Sequence, residues 1–177
     1  VLSRGLGDVY KRQNIFSSVL GATIIQPYPD WHPKLLMAYL TRNTQLALKS
    51  FDYDIHKSAW ADIARSANEH NDPGHFTTFI GYEFTTSTDI EGGNLHRNVI
   101  FNSSEASIRP WTRIDSTNPE DLWTWQDRLR EKGVDTIAMP HNSNGSNGQM
   151  FEMETFKGNA ISKEYADKRM RNEPIVE

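Results

Sequence analysis

The chain has 177 residues, enough for one domain with a real core, and its 37% hydrophobic and 24% charged content fits a globular protein. A formal net charge of -4 argues against a broad basic surface for nucleic acid, and no apolar run approaches the length of a membrane span. Cysteine is absent, which excludes disulfides, zinc fingers and zinc ribbons.

The first stretch, SRGLGDVYKRQ (3–13), resembles the in-frame translation of a sequencing-library adapter. Residues 1–13 are therefore read as non-native, with a disordered natural terminus as the alternative, and residues 14–177 as an incomplete domain. Residues 14–26 suit either a strand and turn or a short buried helix. PYPDWHP (27–33) cannot continue a helix, because its three prolines remove donors and fix φ. From 34 to 51 a helix is predicted, with Leu35, Leu36, Tyr39, Leu40, Leu46 and Phe51 on one broad face.

A second helix is predicted over 58–71, capped by Ser58, with Trp60, Ile63, Ala64 and Ala67 at helical spacing and Asp72-Pro73-Gly74 as its stop. HFTTFIGYEFT (75–85) and HRNVIFN (96–102) read as strands joined by the turn STDIEGGN (87–94), and should pair as an antiparallel hairpin. Asn118-Pro119-Glu120-Asp121 opens a helix with a polar cap, an early proline and acids at the positive end of the dipole. Leu122, Trp125 and Leu129 form its apolar stripe and Gly133 its stop. VDTIAMP (134–140) follows as a buried strand. EYADKRMRNEPIVE (164–177) begins as a polar helix, and Ile175-Val176 read as the opening of a further buried strand. The order of elements predicts an α/β fold, layered or barrel-like.

Three residues carry the chemistry. Glu83 lies near the end of one strand, His96 at the start of the next, and His141 just after a third. In an antiparallel hairpin the first two share one end of the sheet, and a βα-type arrangement would bring the third to the same rim. A carboxylate with two imidazoles suits a divalent cation such as zinc, manganese or iron, which would lower the pKa of bound water and polarise an ester oxygen. Plainer readings stand beside this one. Each histidine could be a hydrogen-bonded cap, and Glu83 could form a structural ion pair with Arg97. Arg97 is alternatively suited to hold an anionic group of a substrate. In the polar loop Asn142, Ser143, Asn144, Ser146 and Asn147, the residues serve turn geometry, or Asn142 or Asn144 orients a ligand or substrate oxygen. His32, His56, His70 and His75 read as surface or capping residues. Trp60, Trp123 and Trp125 fit helix faces packed on a sheet, while Trp111 in its loop is undecided.

NDPGHFTTFIGYEFT, GGNLHRNVIFN, NPEDLWTWQDRLREKGVD, PHNSNGSNGQMF and YADKRMRNEPIVE together resemble the bacterial domain-of-unknown-function family 3604, from about Trp60 to the C-terminus. That family is similar to the polymerase-and-histidinol-phosphatase (PHP) superfamily. The resemblance implies a distorted β/α barrel that binds two or three metal ions and hydrolyses phosphoesters, with Glu83, His96 and His141 as metal ligands. Arg97 and Asn142 are then the expected substrate contacts. The superfamily's opening HxH pair, its second Asp-His type motif and its terminal DxH-type pair are absent from this sequence. The expectation is thus a fragment of a metal-dependent phosphoesterase, with little or no turnover by itself and a small-molecule or phosphoester substrate for the parent. The alternative is a binding or scaffold module that keeps the fold without catalysis.

Overall fold

A computed structural model describes residues 53–87, 93–104 and 108–177. The expected elements upstream of Tyr53, including the helix over 34–51 and the prolyl turns around His32, lie outside the described residues.

Helix α1 spans Tyr53–His70 and begins five residues before the expected Ser58 cap, which is exposed within the helix. Nothing between Tyr53 and Ser58 breaks a helix, and Asp54 in the first turn suits the positive end of the dipole. The early start also corrects the reading of His56. Together with Trp60 and Ala64 it continues the i, i+4 apolar face, so it is buried rather than on the surface, and that burial pushes its imidazole pKa down. His70 does cap: its Nδ1 lies 2.8 Å from the carbonyl oxygen of Ser66. His75 is exposed, beside Asp72.

The strand expected over 75–85 contracts to β1, Ile80–Phe84. Its first half is claimed by the end of α1. The amides of His75 and Phe76 donate to the Asp72 carbonyl, the Asp72 amide donates to the Phe76 carbonyl at 2.8 Å, and the Thr78 hydroxyl donates to the Ala67 carbonyl at 2.6 Å. Phe76 and Phe79 are left exposed as a result.

β2 spans Arg97–Asn102 and β3 spans Asp135–Pro140. β1 and β2 form the expected antiparallel pair, Phe84 facing Arg97 and Glu83 facing Asn98. β3 joins the other edge of β2, also antiparallel, with Pro140 facing Arg97. The described strands thus make an open three-stranded sheet in the order β1-β2-β3. The α/β class stands. The expected barrel is not closed among the described residues, because each neighbour pairing is antiparallel rather than the parallel pairing of successive βα units.

Helix α2, Pro119–Arg130, has the expected start: the Asn118 side chain accepts from the Glu120 amide at 2.9 Å. Gly133, at a φ of 84°, stops the chain just beyond it. Helix α3, Lys163–Asn172, is capped by Ser162, whose hydroxyl accepts from the Tyr165 amide at 3.2 Å. The two helices are tied by Asp127, which accepts from Arg130, Arg171 and Asn172. Ile175 and Val176 do not open a buried strand. Both are half exposed, although the Glu177 amide donates to the Pro140 carbonyl at 3.0 Å.

Strand alternation sorts the sheet into two faces. Ile80, Phe84, Val99, Phe101 and Ala138 lie on the core face with Trp60 and Ala64 of α1 and Leu122 and Leu129 of α2. Trp60 meets Tyr82 edge-on and Phe101 at a tilt, and Trp125 meets Phe101 edge-on. Complete burial of a side chain such as Phe84 or Leu122 contributes about 1.5–3 kcal/mol. Trp123, expected against the sheet, packs between helices instead, edge-on to Tyr165. Trp111 is partly buried, its carbonyl accepting from the Tyr82 hydroxyl. Glu83 and Asn98 belong to the opposite face. No described helix is long and apolar enough to cross a membrane.

Candidate metal centre

The three strands deliver one end of each to a common edge. β1 ends there, β2 begins there and β3 ends there. The β2–β3 ladder continues one pair past its last strand residues, since the His141 amide donates to the His96 carbonyl at 3.3 Å. His96 and His141 are therefore cross-strand neighbours, with ring centroids 5.9 Å apart. Both fall out of step with the core-facing Arg97 and Pro140, so they share the opposite face with Glu83. One ligand atom from each of Glu83, His96 and His141 lies within 4.8 Å of the others, which is the convergence that the sequence predicts.

Glu83 Oε1 is the centre of the group. It accepts from the Thr85 hydroxyl at 2.8 Å, lies 2.8 Å from His96 Nδ1 and 3.9 Å from His141 Nε2. The His96 hydrogen bond is the main reason that the Glu83 carboxyl is held below its ordinary pKa, against the opposing effect of its partial burial. The carboxylate stays charged and keeps its lone pairs for a donor or a cation. His141 Nε2 is different: it is buried and has no hydrogen-bond partner. An unpartnered buried nitrogen costs free energy unless something meets it.

Two loops hold the histidines in place. The His96 amide donates to Asn94 Oδ1 at 2.7 Å, and the Asn94 amide donates to the Gly145 carbonyl at 2.9 Å. The Gly93 amide donates to Gln149 Oε1 at 2.9 Å. Gly93 has no room for a side chain, since a Cβ there would stand 1.8 Å from the Ser146 carbonyl oxygen. The Gly93-Asn94 segment before His96 is thus clamped to the NSNGSNG segment after His141. Asn142, at a φ of 56°, turns the chain into that loop, as the turn reading of an Asn/Gly segment anticipates.

Residues 24–177 match a family model described as "Protein of unknown function (DUF3604)". The chain belongs to this family. The match begins well upstream of Trp60, where the motif resemblance starts, and so takes in residues that the motifs alone leave out. No curated protein and no solved structure matches this DUF3604 chain.

Of the two expected substrate contacts, the DUF3604 structure brings one to the cluster. Asn142 stands beside it, with Nδ2 3.1 Å from His141 Nδ1. Arg97 does not reach it. One residue along the strand from His96, it points to the core face, is 2% exposed, and donates from Nε to Glu173 Oε1 at 2.7 Å. It also donates to the Leu95 carbonyl. Arg97 is an ion-paired structural residue here, and its partner is Glu173 rather than Glu83. Sequence reasoning passed over Thr85 and the Gly93–Ser146 contact. Thr85 could have been found by the two-residue strand period, which puts it on the face of Glu83. The contact between loops some fifty positions apart left no local signal.

Proposed function

We propose that this chain belongs to a metal-dependent hydrolase of the PHP kind, acting on phosphoesters, with Glu83, His96 and His141 holding a divalent cation. The reading includes a PHP-like barrel to which the described sheet would belong. The observation that carries it is the buried, unpartnered Nε2 of His141 facing a charged carboxylate and a second imidazole. Donors that share one cation at about 2.0–2.2 Å stand up to about 4.4 Å apart, close to the 4.8 Å that encloses these three. Two nitrogens and one carboxylate oxygen fit zinc, manganese or iron, and they leave further coordination positions for water and substrate. When bound, such a cation supplies Lewis acidity, activating water and polarising the phosphoryl oxygen. The chain's own contribution is positional. The sheet fixes the spacing of the donors, the Thr85 hydroxyl holds the carboxylate, and the clamped loops hold the backbone that carries the two histidines.

A second reading has one observation in its favour. Glu83 and His96 already satisfy each other at 2.8 Å, as a polar pair in a non-catalytic scaffold would. That pairing leaves His141 Nε2 unexplained, which is why the metal reading is preferred. The deciding experiment is metal analysis of the purified protein with calorimetric titration of zinc, manganese and ferrous ions, alongside hydrolysis of a chromogenic phosphodiester. Stoichiometric cation binding that disappears in His141→Ala supports the proposal. An intact protein that takes up none of these ions overturns it.

A further inference from the structure

The Asn142 carboxamide touches the ring nitrogen of His141 that faces away from Glu83. Its Nδ2 lies 3.1 Å from His141 Nδ1, while Nε2 of the same ring is 3.9 Å from Glu83 Oε1 and otherwise unpartnered. A neutral imidazole carries one proton on one of its two nitrogens, and the partner of one nitrogen selects the role of the other. Carboxamide oxygen and nitrogen exchange places by a half-turn about the terminal side-chain bond. With the amide nitrogen toward the ring, Nδ1 accepts and Nε2 carries the proton. With the oxygen toward the ring, Nδ1 donates and Nε2 presents a lone pair to the cluster. Both tautomers are neutral, so the choice between them changes no charge.

We propose that Asn142 is a positioning residue for His141: its carboxamide oxygen accepts the Nδ1 proton when Nε2 serves as a ligand, and so sets the tautomer and angle of the ring. This rests on the metal-binding reading above, and it replaces a direct substrate contact as the role of Asn142. The backbone favours the assignment. At a φ of 56°, Asn142 occupies a left-handed conformation that asparagine adopts readily and most residues do not, and this turn puts the carboxamide alongside the preceding ring. Partners of ligand histidines of this sort are worth about 10–100-fold in metal affinity.

The test uses two variants that tolerate the same backbone. Asn142→Gly removes the carboxamide at a position where glycine is unstrained. Asn142→Asp leaves only acceptor oxygens beside Nδ1. Zinc affinity by calorimetry is expected to fall at least about tenfold in Asn142→Gly and to equal or exceed the original in Asn142→Asp. Imidazole nitrogen chemical shifts of the metal-free protein give a readout independent of cation binding. In Asn142→Asp they should move to the Nδ1-protonated form of His141, and in Asn142→Gly to a mixture of the two tautomers. Zinc affinity within about twofold of the original in Asn142→Gly, or His141 nitrogen shifts unchanged in both variants, would overturn the proposal. If the unsubstituted protein binds no cation, the metal reading falls by itself. The metal-free shifts then decide whether Asn142 sets the ring.

Discussion

Glu173 offers the sharpest perturbation of the structure behind the site. Its side chain is 2% exposed and gathers three donors: Arg97 Nε at 2.7 Å, Trp123 Nε1 at 2.8 Å, and Arg169 Nε at 3.1 Å on the other oxygen. Arg97 is equally buried, and burial pulls its pKa down while Glu173 opposes that pull. Arg169 is about a fifth exposed and can turn toward water, but Arg97 cannot. Glu173→Gln keeps the volume, removes the charge, and sets an amide among guanidinium groups. Breaking one side of a buried ion pair costs about 3–5 kcal/mol, because an uncompensated charge stays buried. Against the 5–15 kcal/mol stability typical of a domain, that is about a fifth or more of the whole. Urea denaturation followed by tryptophan fluorescence should show a large fall in midpoint with little change in slope. Because the penalty comes from the orphaned cation, Glu173→Leu combined with Arg97→Met should recover most of it. The double variant then falls far short of the sum of the single losses. A loss below about 1 kcal/mol for Glu173→Gln, or additive losses in the double variant, would refute this reasoning.

Gly93→Ala drives a methyl group into the Ser146 carbonyl, and backbone must move to admit it. Overpacking of this kind costs about 1–3 kcal/mol, and here it should also separate the clamped loops, so thermal melts and zinc titration should both register the change. Acidification should weaken the fold through Glu83. Its folded carboxyl is held below the ordinary value of 4.5, so its contribution is complete above that pH and is lost as pH falls through the lowered folded value. Urea melts between pH 7 and 3 should show this loss, with a flatter acid limb in Glu83→Gln. Zinc at a hundredfold excess over its dissociation constant should stabilise the protein by about 2.7 kcal/mol, seen as a raised melting temperature that a chelator reverses. His141→Ala should abolish that increment; a variant that retained it would remove His141 from the ligand set.

The site was more legible in the sequence than the fold around it. Glu83, His96 and His141 were found because carboxylate and imidazole are cation-binding types, and because strand order alone predicts which ends share an edge. Pairing of β1 with β2 followed from composition and turn residues. Helix α2 could be read from its proline and acids, and its cap and stop are where they were expected. The failures lie where tertiary contacts override local pattern. Residues 75–79 have strand composition, but hydrogen bonds to Asp72 and Ala67 hold them to the end of α1 instead. His56 looked like a surface residue because polar neighbours hid its place on the buried helix face. Glu173 was unreadable as a partner of Arg97, since 76 positions separate them and nothing local marks the pairing.

Arg97 and His96 show why adjacency in sequence misleads at a strand end. Consecutive residues point to opposite faces, so the guanidinium next to His96 in the chain lies, by geometry, on the far side of the sheet. There it meets Glu173, and the pair anchors the start of β2 from behind while His96 projects in front. The three donors are consequently not equally constrained. Moving His96 breaks its 2.8 Å contact with Glu83, and moving Glu83 breaks that contact and the Thr85 hydrogen bond as well. Moving the His141 ring sacrifices nothing at Nε2, which has no partner to lose. In the proposed metal site, the adjustment that would bring the donors from 4.8 Å to a shared coordination sphere therefore falls to His141, whose ring stands beside Asn142 at the start of a loop clamped against Gly93. Selectivity among cations of different size should accordingly respond to changes in that loop more than to changes on β1, where the carboxylate is already fixed from two sides.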